Sequence, residues 1–270
     1  MLRAFYTALQ IAGGIDAYFY YILNRIGRNW QTIFIYFKPS NLKYAIIIGL
    51  GHPAMGTGFT SSLFKRNGLD VGHEVFGKDG IVSWMACVDD TPPNAEADRV
   101  TSRMLKGSKL FAVVRSPINS IHSVIRENDI PASLSWRRRH IKNVTGKDII
   151  PELDYSHIDS LERQAKIIKL QVAIDSMYYW YSIILSHRPD IIYRVDRTED
   201  DNLLGDFVGS KIVRNESIWK NSKALVDDTR TLDSYDIKLI GPEYVSKLLE
   251  MLDKFHYDRD FYRISELANS

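Results

Sequence analysis

The chain has 270 residues, 45% hydrophobic and 25% charged, with 35 Lys and Arg against 33 Asp and Glu. That balance describes a globular chain with a sizeable core and excludes disordered, collagen-like and polytopic membrane classes. A net charge of +2 offers no global attraction for nucleic acid, and a single cysteine, Cys87, excludes an internal disulfide framework and a Cys-rich zinc site. A reducing, cytoplasmic setting is expected.

Residues 1–37 carry ten aromatic side chains, and the basic residues Arg3, Arg25, Arg28, Lys38 and Lys43 face a single acid, Asp16. The features of a signal peptide are missing. Asp16 breaks the apolar run into pieces shorter than the ~20 residues a membrane span needs, and costs roughly 2.5–3.5 kcal/mol near the bilayer centre. Two readings stay open for this aromatic, helical extension, residues 1–40. It packs on the domain formed by residues 41–270, or it is a peripheral membrane anchor with Tyr and Trp at headgroup level.

Lys38-Pro39-Ser40 reads as a linker. Tyr44 to Gly49 is continuously apolar, the pattern of a buried parallel strand, and a glycine-rich turn leads from it into a helix over Thr57–Asn67 that Gly68 ends. Leu69–Gly72 reads as a second strand. A helix is expected over Asn94–Lys106 with Asn94 as its cap, then a strand over Lys109–Val114. Ser116-Pro117 caps and opens the next helix. Residues 131–158 read as a polar insertion whose basic run, Arg137-Arg138-Arg139-His140, forms a solvated face. A long helix follows from about Ser160 to His187, with Tyr178-Tyr179-Trp180-Tyr181 read as core. A strand over Ile191–Val195 and a helix over Pro242–Phe255 complete the pattern. Strands alternating with helices predict an α/β fold with a parallel sheet and right-handed crossovers.

The run Gly51-His52-Pro53-Ala54-Met55-Gly56-Thr57-Gly58-Phe59 sits between strand and helix, where backbone N–H groups can be aimed at an anion. Gly51 and Gly56 have Walker A spacing, but Thr57-Gly58 stands where a nucleotide-hydrolysing loop has Lys followed by Ser or Thr. An ATPase or kinase is therefore disfavoured, whereas phosphate binding is not. Arg115 closes the Lys109–Val114 strand, and Ser123 lies eight residues on in the following helix. A strand-end guanidinium and a helix hydroxyl at that separation can converge on one phosphate at the carboxyl edge of the sheet. The seven histidines show no metal-ligand spacing, so no metal is expected. Cys87, in the apolar run Val82–Val88, reads as a buried hydrophobe.

Gly56-Thr57, then Arg115-Ser116-Pro117 and Ser123, together resemble the P-loop sulfotransferase family, and Gly68-Leu69-Asp70-Val71-Gly72-His73-Glu74 with Ser83-Trp84 resembles a bacterial branch of it. The likeness is good over residues 44–126 and looser over 190–257, where Tyr193-Arg194-Val195-Asp196 matches a strand with an acidic end and Asn221-Ser222-Lys223 a cofactor-loop element. The resemblance implies a P-loop NTPase-like three-layer α/β/α fold and transfer of a sulfuryl group from 3′-phosphoadenosine 5′-phosphosulfate (PAPS) to a hydroxyl acceptor such as a glycan, a lipid or a small molecule.

It further implies that Pro53, Ala54, Met55, Gly56, Thr57, Gly58 and Phe59 surround the 5′-phosphosulfate, with Phe59 toward the adenine. Arg115 and Ser123 would hold the 3′-phosphate. Glu74, and after it His73, are the candidates for the base that takes the acceptor proton. The chain departs from the pattern at Ala54, where the family has Lys or Arg. Three outcomes stay open. Another basic group (His52, Lys65, Lys78 or the Arg137–Arg139 run) substitutes, or the enzyme is slow, or the protein is a degenerate, non-catalytic binder.

Overall fold

The computed structural model describes residues 46–94, 96–150, 161–214, 232 and 234–269. The N-terminal extension, residues 151–160 and the Asn221-Ser222-Lys223 element lie outside the described residues. Five strands form one all-parallel sheet: β1 (Ile47–Gly51), β2 (Val71–His73), β3 (Gly80–Ser83), β4 (Lys109–Val114) and β5 (Ile191–Arg194), in the order β2-β3-β1-β4-β5. Between them run α1 (Thr57–Arg66), α2 (Ser102–Gly107), α3 (Pro117–Asn128), α4 (Pro131–Thr145) and α5 (Leu161–Ser186). After β5 come α6 (Asp200–Val208), α7 (Ser234–Ile240), α8 (Pro242–Lys254) and α9 (Asp258–Asn269). Among the described residues no helix is long and apolar enough to cross a membrane.

Side chains alternate across a strand, so each buried strand feeds two faces. On one face Ile47, Val82, Phe111, Val113 and Tyr193 meet Leu63 and Phe64 of α1 and Leu204 of α6. Helix α5 stands apart from that cluster and grips strand ends instead: Trp180 Nε1 donates to the Gly51 carbonyl (3.2 Å) and the Tyr181 hydroxyl to the Val113 carbonyl (2.9 Å). Both rings are fully buried, as expected of a core stripe, while Tyr178 is half-exposed and donates to Glu250 of α8.

The strand order positions the site. From β1 the chain passes through α1 to β2 on one flank, returns as β3 beside β1, and then crosses to β4 on the other flank. The winding thus reverses between β1 and β4, and in open parallel sheets the crevice for ligands lies outside the carboxyl ends of strands at such a point. Gly80 makes the tight β3–β1 pairing feasible: it holds φ +154°, and a Cβ there would lie 1.9 Å from the Ile47 carbonyl oxygen.

Three expectations are corrected. The first strand runs to Gly51, two residues later than its apolar run suggests, because pairing with β4 continues to Val113. Asn94 caps no helix; its side chain accepts from the Glu96 N–H in a local turn, and α2 is capped by Thr101, which accepts from the Met104 N–H. The insertion at 131–158 opens with a 15-residue helix, α4, with Pro131 in its first turn and Gly146 at φ 71° after its end. Its Arg137 is fully buried rather than solvated.

Candidate functional site

A cleft of about 660 Å³ opens at the carboxyl edge of the sheet, where β1 and β4 part. One wall is the β1–α1 turn and the start of α1: Pro53, Ala54, Gly56, Thr57, Gly58 and Phe59. The opposite wall is Arg115 at the end of β4 with Ser123, Arg126 and Glu127 of α3 and Ile130 beyond it. His73, Glu74, Trp84 and Val195 complete the lining. A volume in this range is typical of small-molecule sites.

The turn is shaped for close approach. Ala54 (φ 63°) and Gly56 (φ 105°) both take left-handed backbone, and a Cβ on Gly56 would meet Val195 Cγ2 at 2.7 Å. No side chain caps α1 and no acid sits in its first turn. Its leading N–H groups, which lack partners inside the helix, therefore carry the positive end of the helix dipole into the cleft. Met55 is the one member of the 53–59 run that turns away: its side chain is fully buried, and its N–H donates to the His52 carbonyl at 3.1 Å. Phe59 packs on the core cluster under the Arg214 guanidinium, 5.0 Å from its ring centre, and presents an edge to the cleft.

Arg115 and Ser123, distant in sequence from the turn, do line the same cleft. The Arg115 side chain is half-buried, its Nε is shut off from solvent without a hydrogen-bond partner, and no carboxylate among the described residues pairs with it. Its neighbour is rigidly fixed. Ser116 N–H donates to Asp196 (3.1 Å), its hydroxyl donates to Asp260 (2.5 Å), and its oxygen caps α3 by accepting from Asn119 N–H. The acidic end of the Tyr193–Asp196 stretch thus serves to pin the chain beside Arg115.

The two base candidates sit together after β2. Glu74 takes left-handed backbone (φ 60°), its N–H bound to the Val82 carbonyl and its carbonyl to the Asp98 N–H. The Trp84 indole N–H donates to Glu74 Oε1 at 2.9 Å, fixing one carboxylate oxygen. His73 Nε2 lies 3.2 Å from the Thr57 hydroxyl and 3.8 Å from Glu74 Oε1. Desolvation lowers its pKa, and Lys65 adds to that while Glu74 opposes it.

Comparison with known proteins identifies no relative. No family model, no curated protein and no solved structure matches this chain. The site rests on its own geometry.

None of the basic groups considered as replacements at position 54 lines the cleft. His52 is fully buried: Nδ1 donates to the Pro53 carbonyl (2.7 Å), so Nε2 accepts from Ser176 (2.9 Å), and burial with the nearby Arg137 charge keeps the ring neutral. Arg137 donates to Ser133 and Asn128 and lies 5.5 Å from the Trp84 ring centre. Arg138 pairs with Asp148 and Arg139 with Asp90. Lys65 and Lys78 point to solvent. The guanidinium that sequence reasoning missed is Arg126, one turn past Ser123, with Nη2 3.4 Å from the Ser123 hydroxyl. Its spacing of three from Ser123 on one helix face was the available signal. Cys87 is buried, and burial pushes its thiol pKa far up, which leaves no nucleophile there.

Proposed function

We propose that the protein is a PAPS-dependent sulfotransferase acting on a hydroxyl acceptor, with a P-loop-type phosphate turn in its α/β sheet. One observation carries the reading. The uncapped start of α1 and the Arg115 guanidinium, which has no carboxylate partner among the described residues, line one cleft, offering two separate grips for a nucleoside phosphorylated at both ends. Bound there, PAPS would supply an electrophilic sulfuryl group. The backbone of residues 54–59 and the Thr57 hydroxyl hold the 5′ end, and Arg115 with Ser123 holds the 3′-phosphate, for which a planar guanidinium fork is suited. Glu74 takes the acceptor hydroxyl proton through the oxygen that Trp84 does not occupy.

A second reading, a non-catalytic nucleotide binder, is favoured by the absence of any Lys or Arg from the 52–58 turn in the cleft lining. Loss of such a preorganised cation commonly costs about 10²–10³ in rate. Transfer from labelled PAPS to a panel of hydroxyl acceptors, paired with calorimetry of adenosine 3′,5′-bisphosphate, separates them. Turnover with binding establishes the enzyme; binding alone establishes the binder; neither removes both.

A further inference from the structure

The chemistry that α1 offers an anion is incomplete in one respect: the turn from His52 to Gly58 brings no cation of its own into the cleft. One titratable ring does reach that point from another element. His73, at the end of β2, sets Nε2 3.2 Å from the hydroxyl of Thr57, the first residue of α1. The same ring lies 3.6 Å from where a Cβ on Gly58 would stand, so it rests against the first turn of the helix. Thr57 itself is buried, and the His73 side chain is 41% open to solvent.

We propose that His73 is the anion-dependent cation of this site: it takes up a proton from solvent when a phosphate or phosphosulfate settles on the start of α1, and donates to it as imidazolium. The inference rests on the nucleotide reading above and changes the task of His73 from base to charge partner. The groups that act on the ring are Glu74 beside it and Lys65 from α1; Arg115, Arg126 and Glu127 belong to the far wall of the cleft. Without an anion, desolvation and Lys65 outweigh Glu74 and hold the ring neutral at neutral pH. A dianionic group within hydrogen-bond reach reverses that balance, because an adjacent opposite charge favours the protonated form. The sign follows: affinity is greatest below the pKa of the empty site and is lost as pH rises through the raised pKa of the filled one. Each unit by which the ligand raises the pKa is worth up to about tenfold in affinity.

The test is calorimetry of the full chain with adenosine 3′,5′-bisphosphate at about pH 6 and about pH 8, in two buffers of different ionisation enthalpy. The ligand's own phosphates titrate, so the quantity read is the difference between the native protein and His73→Gln. The expected result is net proton uptake by the native protein that His73→Gln lacks, with the variant binding roughly tenfold or more weakly near pH 6. Adding Ala54→Lys to His73→Gln should restore affinity without restoring proton uptake. Ala54 already has φ 63°, so a lysine there meets no backbone strain the alanine does not bear. Should His73→Gln not fold, the imidazole proton resonances of native His73, titrated with and without nucleotide, give the same answer. Equal proton uptake in both proteins, or an imidazole pKa unmoved by the ligand, overturns the inference and leaves the functional reading standing. No nucleotide binding by the native protein overturns both.

Discussion

Of the adjacent strands β4 and β5, β5 ends in Arg194 and β4 is followed directly by Arg115, and the two arginines sit in opposite settings. Arg194 is gripped by Asp200 through Nε (2.8 Å) and Nη2 (2.7 Å), and beside it Arg214 is held by Asp201 through Nε (2.9 Å) and Nη2 (2.6 Å). Asp201 also accepts from Tyr193, and Arg214 donates to the Val195 carbonyl, so the end of β5 is a closed network. Arg115, one strand over, faces the cleft with Nε shut from water and unpartnered. A buried donor left without an acceptor costs about 1–3 kcal/mol. The β5 end is closed on itself by carboxylates, whereas the β4 end leaves a guanidinium on the cleft wall with no carboxylate partner among the described residues.

Breaking the closed network gives the largest expected effect. Asp201→Ala removes the bidentate carboxylate from Arg214, only 6% exposed, and should cost about 3 kcal/mol of folding stability in urea unfolding, as loss of one partner from a buried pair does. Arg115→Ala should leave urea stability nearly unchanged, and its cost should appear with ligand. Adenosine 3′,5′-bisphosphate should weaken by the roughly 1.5–3 kcal/mol of a charged hydrogen bond, and adenosine 5′-phosphate far less. Equal weakening of the two nucleotides in calorimetry would remove the 3′-phosphate assignment. The smallest effect belongs to a half-buried surface ion pair, Arg138–Asp148. Hydrogen bonds from Arg138 hold the Asp148 carboxyl down to about 2 from an ordinary 3.8, so its contribution is complete above pH 3.8 and is lost as pH falls toward 2. Both groups are solvated, so Asp148→Asn should cost no more than about 1 kcal/mol, read as a shift in unfolding midpoint at pH 7 that vanishes in acid.

The sequence made β4 and the cap that follows it legible for a local reason. Lys109–Val114 is an apolar run bounded by Ser108 and Ser116-Pro117, and those signals act within a few residues, so strand and cap fall where the pattern puts them. The glycine turn was equally readable, since positive φ at Gly56 is a backbone demand. What resisted reading depends on distant partners. β3 is only four residues long and is a strand because β1 and β2 flank it. Arg137 carries the most polar kind of side chain yet lies buried, because Trp84 and Asn128 reach it from other elements while Ser133 accepts from it one turn back on α4. Arg126 enters the cleft through the pitch of α3, which no motif records.

The two hydrogen bonds by which Trp180 and Tyr181 hold the last carbonyl of β1 and the next-to-last carbonyl of β4 come from consecutive residues of α5. One rod therefore gauges the gap between the β1–α1 turn and the end of β4. Any event that tilts it would shift both strand ends together, so the width of the cleft is set by a helix absent from its lining.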